Sequence, residues 1–255
     1  MMKVRRRVFL LFAVWMLLLV AVLSFLSYLD AALSSSPASH TIISVGWAGY
    51  IVSSPFNEQH QVVAISATWI VPKINASAGN GCSSAWIGIG GQIDKTLIQV
   101  GTEHNLQNGK ENYAAWYEML PGYAIKIENF TIVPYHRIVA SLMLVDNESD
   151  IWNIQLSDTS NGQRFNRNFA YKSELSSGEW IVERALINGQ ISNLADFGTI
   201  TFSDCKATLD QESRVIGNYS YSTVHMTNQQ LTTLAETQPL NADGSSFQVK
   251  YLTSN

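Results

Sequence analysis

Two glutamates stand four residues apart in the run Glu179-Trp180-Ile181-Val182-Glu183, and a carboxyl group is the side chain best suited to take a proton from water and hand it on. Polar and apolar residues alternate through this run, with aromatic and β-branched residues at its centre, as in a half-buried strand. On a pleated strand Glu179, Ile181 and Glu183 share one face, while Trp180 and Val182 point the other way. Similar polar residues interrupt other apolar runs. Gln99 breaks Thr96-Leu97-Ile98-Gln99-Val100-Gly101, and Trp116 and Glu118 share a face of Ala115-Trp116-Tyr117-Glu118-Met119. In Trp86-Ile87-Gly88-Ile89-Gly90-Gly91 the glycines leave the Trp86 face bare, so that another group can approach the backbone. Taken singly, each has an ordinary alternative: a solvated outer face for the carboxylates, an edge for Gln99, packing for the aromatic residues.

Other chemistries lack their residues. The five histidines (His40, His60, His104, His136, His225) have no paired metal-ligand spacing, and no Gly-x-Ser-x-Gly elbow or phosphate loop is present. Asp158-Thr159-Ser160 runs into Asn161-Gly162 and reads as a turn. No metal or cofactor is expected. With a net charge of −4 and no basic run beyond the extreme N-terminus, nucleic acid is excluded as a partner.

The elements that must hold these side chains are short strands. Strand-like runs recur at 41–52, 61–71, 85–89, 96–100, 113–119, 124–132, 138–145, 151–156, 180–182, 199–202 and 246–252. Turn residues such as Asn108-Gly109 and Asn188-Gly189 separate them. The expected fold is all-β, an antiparallel two-sheet sandwich occupying residues 41–255. Ahead of it, Lys3, Arg5, Arg6 and Arg7 precede an uncharged, mostly apolar run from Val8 to Leu29. Residues 1–29 are therefore expected to be a signal anchor or signal peptide, with the anchor favoured, and residues 30–40 a tether. The positive flank stays cytoplasmic, which puts the remainder outside the cell, membrane-anchored or secreted. In an exported domain Cys82 and Cys205 are expected to be bridged, two buried thiols being the alternative.

Seven blocks in unbroken order carry a resemblance. Trp47-Ala48-Gly49-Tyr50, Ala67-Thr68-Trp69-Ile70-Val71-Pro72, the Trp86 to Gly91 run and Ile98-Gln99-Val100-Gly101 come first. Ala115-Trp116-Tyr117-Glu118, Glu179 to Glu183 and Ala195-Asp196-Phe197-Gly198-Thr199-Ile200-Thr201-Phe202 complete the set. Together they resemble the glutamic peptidases, or eqolisins. The resemblance implies a concanavalin-like sandwich whose concave face binds peptide, with the catalytic glutamine falling on Gln99 and the catalytic glutamate on Glu183. It places Trp86, Trp116 and Glu118 along the substrate cleft, and implies a monomer acting on peptide or protein substrates. This chain departs at Gly90 and Ala114, where fungal members often carry Asp, and at Met119, where they often carry Trp.

What the resemblance implies is an acid-acting endopeptidase. Glu183 activates water, and the Gln99 amide stabilises the tetrahedral oxyanion without ionising at any pH. The expected pH profile is bell-shaped with a maximum below about pH 5, close to the range of a free carboxyl group. A sandwich glycosidase using Glu179 and Glu183, or a lectin-like module stacking sugar on Trp86 and Trp116, are the alternatives. Four residues along a strand span ~13 Å, against the ~5–5.5 Å of a retaining carboxylate pair.

Overall fold

Alternation along the strands is what builds this molecule: apolar residues on one face of each strand pack between two layers, and the outer face of one layer is left for chemistry. The computed structural model describes residues 39–53, 60–187 and 189–255. The expected anchor at 1–29 and all but the end of the tether lie outside the described residues. Among the described residues no helix is long and apolar enough to cross a membrane.

The strands in chain order are β1 (Ser39–Ser44), β2 (Trp47–Ser53), β3 (Val62–Ile70), β4 (Gly81–Gly90), β5 (Leu97–Gln107) and β6 (Lys110–Met119). Next come β7 (Ile125–Lys126), β8 (Arg137–Asp146), β9 (Ile151–Asp158), β10 (Gln163–Ala170), β11 (Ser177–Glu183) and β12 (Leu186–Ile187). The last are β13 (Gln190–Ile191), β14 (Thr199–Leu209), β15 (Glu212–Val215), β16 (Tyr221–Thr227), β17 (Thr233–Thr237) and β18 (Phe247–Tyr251). One hydrogen-bonded path runs β10-β9-β8-β3-β14-β18-β17-β16-β2-β11-β4-β5-β6-β7, and β12 and β13 form a separate hairpin. The path folds back on itself, so that β3 lies over β4 and β11, and β8 lies over β4 and β5.

The core fills the space between these layers. Ile65, Trp69, Leu142 and Ile154 from one side meet Ile87, Ile98, Trp180 and Val182 from the other. Buried indoles need a partner for their N–H. Trp180 Nε1 donates to the Ser66 carbonyl of the opposite layer at 2.9 Å, and Trp69 Nε1 donates to Thr102 Oγ1 at 2.9 Å. Each tryptophan thus combines a large buried area with a bond that fixes how the layers are stacked. At the β5–β6 turn Asn108 (φ 52°) and Gly109 (φ 73°) are both left-handed, the conformation a two-residue hairpin requires and Asn-Gly supplies.

Three expectations change. The run 41–52 is not one strand: β1 pairs parallel with β16 while β2 pairs antiparallel with it, so the chain must reverse between them. Ser44 Oγ accepts from the Gly46 and Trp47 N–H groups at that reversal. Of 124–132 only Ile125–Lys126 is a strand, because Ile127, Phe130 and Ile132 plug the core from a loop. The expected disulfide is absent: Cys82 and Cys205 are both free and buried. Cys82 lies at the start of β4 beside Leu194, whereas Cys205 sits in an irregular stretch of β14, its N–H donating to Ser245. The two thiols belong to different layers and have different neighbours.

One buried group makes stability depend on pH. His104 on β5 is fully buried, faces Thr102 Oγ1 at 2.8 Å through Nε2, and has no partner for Nδ1. Burial lowers its pKa to about 3, against 6.5 for a free imidazole. The unfolded chain therefore gains a proton near pH 6.5 that the folded chain refuses until about pH 3, and stability falls across that window as pH drops. At pH 4 the expected cost is about 3 kcal/mol relative to neutral pH. Urea unfolding at pH 7 and pH 4 checks this; a His104→Gln protein should lose that part of the acid destabilisation.

Candidate active site

The site is assembled from four adjacent strands, β11, β4, β5 and β6, whose alternation turns one face inward to the core and the other outward to a cleft. Their register places outward residues in cross-strand rows. Ile51, Glu179, Gly88, Gln99 and Glu118 form one row. Gly49, Ile181, Trp86, Gly101 and Trp116 form the next, and Trp47, Glu183, Ser84, Glu103 and Ala114 the third. Gly101 cannot carry a side chain here: a Cβ would lie 2.5 Å from the Ala85 carbonyl oxygen and 2.5 Å from Trp86 Cβ. Its bareness is what lets Trp86 and Trp116 occupy the middle row on either side.

Two hydrogen-bonded pairs follow. Trp86 Nε1 donates to Glu183 Oε2 at 2.8 Å, and Gln99 Nε2 donates to Glu118 Oε2 at 2.6 Å. Trp47 packs edge-on against Trp86, with ring centroids 5.1 Å apart. Glu118, Glu183 and Trp116 line a cavity of about 330 Å³. Gln99 itself is buried and touches this system through Glu118, and its carbonyl oxygen has no partner. An amide has two N–H donors, and Glu118 takes one.

Burial pushes the Glu183 carboxyl up to about 7, against hydrogen bonds from the Trp47 and Trp86 indoles, while Glu118 adds repulsion. Glu118 is raised too, chiefly by burial, with its bonds from Gln99 and the Ala124 backbone pulling the other way. The two carboxyl groups face one cavity, close enough to disfavour double ionisation.

Of the residues expected from sequence, the structure brings Trp116, Glu118 and Glu183 onto the cavity, with Gln99 and Trp86 bonded to its walls. Gln99 bonds Glu118 and not Glu183, which lies two rows away along β11. Glu179 shares the Gln99 row but is fully buried, does not line the cavity, and has no partner on either carboxyl oxygen. Burial raises its pKa well above the usual carboxyl range. Gly88, its neighbour across the ladder, is roofed by the Trp86 ring and Leu97, whose atoms would come within 2.8 and 2.9 Å of an added Cβ. Sequence reading missed Glu103, Ser84 and Lys126, which also line the cavity. Glu103 continues the alternation of Gln99 and Gly101, but only the pairing register puts it in the Glu183 row.

Carboxyl groups and a carboxamide are gathered over one face of these strands, residue types suited to acid–base chemistry. Comparison with known proteins narrows that chemistry. The sequence profile of the Peptidase A4 family matches residues 45–251, and the chain belongs to this family. Aspergillopepsin-2 of Aspergillus niger is 31% identical over 132 residues, covering 50% of this chain and 46% of that protein, less than half its length. Scytalidopepsin B of Scytalidium lignicola is 28% identical over 221 residues, 79% of this chain and 80% of its own. Among solved structures, scytalido-glutamic peptidase bound to a transition-state analogue superposes with a TM-score of 0.69 at 20% identity, covering 82% of this chain and 99% of that one. Aspergilloglutamic peptidase from Aspergillus niger gives 0.58 at 27% identity, covering 68% and 99%.

Proposed function

We propose that this domain is an endopeptidase that cleaves peptide bonds on the acid side of neutrality, with Glu183 and Gln99 as its working pair. The observation that carries the reading is the cavity on which Glu183, held by Trp86, faces Glu118, which holds Gln99. Glu183 in its ionised form takes a proton from water as the water oxygen bonds to the substrate carbonyl carbon. The carbonyl oxygen becomes an oxyanion, and the free N–H of Gln99 donates to it. On collapse the C–N bond breaks, the proton passes from Glu183 to the leaving amine, and the carboxylate is restored. Glu118 is a positioning residue: it fixes the Gln99 amide and shares a proton with Glu183. The glycosidase alternative requires Glu179 and Glu183 to be open to one substrate, and the burial of Glu179 counts against it. The positively flanked apolar run at the N-terminus supports action outside the cytoplasm, at a membrane or in a secreted form.

The pH dependence follows from the pair. Its apparent values belong to Glu118 and Glu183 together, and the productive form carries one proton between them. Near the raised Glu183 value of about 7 the pair loses its last proton and two ionised carboxyl groups face the developing oxyanion, so turnover should fall through an alkaline limb within about one unit of pH 7 and peak below it. In Glu118→Gln there is no proton left to share, so the alkaline limb should disappear, and without the repulsion from Glu118 the acid limb at which Glu183 ionises should move to lower pH. Turnover of a quenched peptide from pH 2 to 9 by the full chain and by this variant is the measurement. A wild-type maximum above pH 7, or an alkaline limb that persists in the variant, would contradict the coupled pair. Absence of cleavage at every pH would remove the peptidase reading altogether.

A further inference from the structure

We propose that Glu103 sets the specificity of this cleft by receiving a lysine or arginine side chain of the substrate. The inference rests on the peptidase reading above and names the substrate class its cavity selects.

The cavity beside Glu183 is about 330 Å³, ample room for one long side chain. Along the third cross-strand row Glu183 is followed by Ser84, then Glu103, then Ala114. Small residues on both sides of Glu103 leave the approach to its carboxylate open. Two strand spacings of ~4.8 Å separate the backbones of Glu183 and Glu103, ~10 Å in all. An extended lysine bridges that interval when its backbone is held at Glu183 and its ammonium at Glu103. The stem would lie beside Trp116, which supplies an apolar wall and a ring face that favours a cation.

Charge points the same way. Three carboxyl groups line the cavity, Glu103 from β5, Glu118 from β6 and Glu183 from β11, against one amine, Lys126 from β7. β4 contributes Ser84, and the segment before the β12–β13 hairpin contributes Ala185, both uncharged. Glu103 and Lys126 form no ion pair among the described residues, so the carboxylate is not already neutralised by a contact. Glu118 bonds Gln99 and Glu183 bonds Trp86, which leaves Glu103 as the acid of this wall without a catalytic duty. Burial raises the Glu103 pKa, opposed by Asn105 and Lys126, so its hold on a cation should strengthen as pH rises through the acid range.

The test compares quenched peptides that differ only by lysine or norleucine at one position, walked across the cleavage site, with the full chain as enzyme. At one position near the cleaved bond lysine should be preferred by at least about tenfold in kcat/KM, the scale of a desolvated charge pair. In Glu103→Gln that ratio should collapse toward one, in Lys126→Met it should rise, and in Glu103→Lys glutamate should replace lysine as the preferred residue. Should Glu103→Gln fail to fold, the Lys126→Met ratio decides. A norleucine peptide cleaved as well as its lysine partner at every position overturns the subsite while leaving the peptidase reading intact. Failure to cleave either series overturns the peptidase reading, and the subsite with it.

Discussion

Exchanging Glu183 for Gln is expected to lower kcat by ~10²–10⁴, the range that general acid–base groups contribute, with little change in fold. The substitution keeps the size of the side chain and a hydrogen-bond acceptor for Trp86 Nε1, so the wall of the cavity survives. What disappears is the group able to exchange a proton with water and the leaving amine. The contrast with its strand neighbour makes the experiment decisive. Glu179 is fully buried and burial raises its pKa, which favours the protonated form that Gln imitates closely. Glu179→Gln should therefore keep a measurable fraction of activity. Comparable turnover by Glu183→Gln and wild type on one peptide would transfer the acid–base role elsewhere, and the reverse ranking of the two variants would transfer it to Glu179.

Removing the Gln99 amide is the second large effect. Gln99→Ala deletes the donor expected at the oxyanion and leaves Glu118 without its 2.6 Å bond. Loss of one such donor typically costs ~10²–10³ in kcat. KM should move far less, because the donor acts on charge that develops only in the transition state. Gln99→Glu should be worse, and increasingly so with rising pH. It places a second carboxyl group where the amide met Glu118, and an ionised carboxylate repels the oxyanion. Steady-state kinetics at two pH values separate the predictions. Unchanged kcat in Gln99→Ala, or a Gln99→Glu enzyme that improves at higher pH, would deny the amide its role.

The strand periodicity of residues 179–183 was legible because period-two alternation reflects a local rule: successive side chains point to opposite faces whatever the rest of the chain does. The same rule made the faces of Trp86, Gln99 and Glu118 readable, and the Asn108-Gly109 turn was legible because few residues accept left-handed backbone. Strand β10 escaped notice since it pairs only with β9 and needs just Phe165 and Phe169 on one face, packed against Tyr117. The expectation that the two cysteines of an exported domain are bridged also failed, because Cys82 and Cys205 fold into separate layers and stay free.

What the amino-acid sequence determined by itself is therefore which residues face which side of each strand, and the family to which their order belongs. Which of those faces meet was decided by tertiary structure. Register is set by long-range pairing of strands, and a shift of one residue would send every side chain to the opposite face. Only that pairing put Glu103 in the row of Glu183, joined Gln99 to Glu118, opened Glu183 to the cavity and sealed Glu179 four residues away. The two glutamates are the same residue type on the same face of the same strand. One lines a cavity beside a second acid and the other is closed in without a partner, because desolvation and contacts arise between strands and not along one.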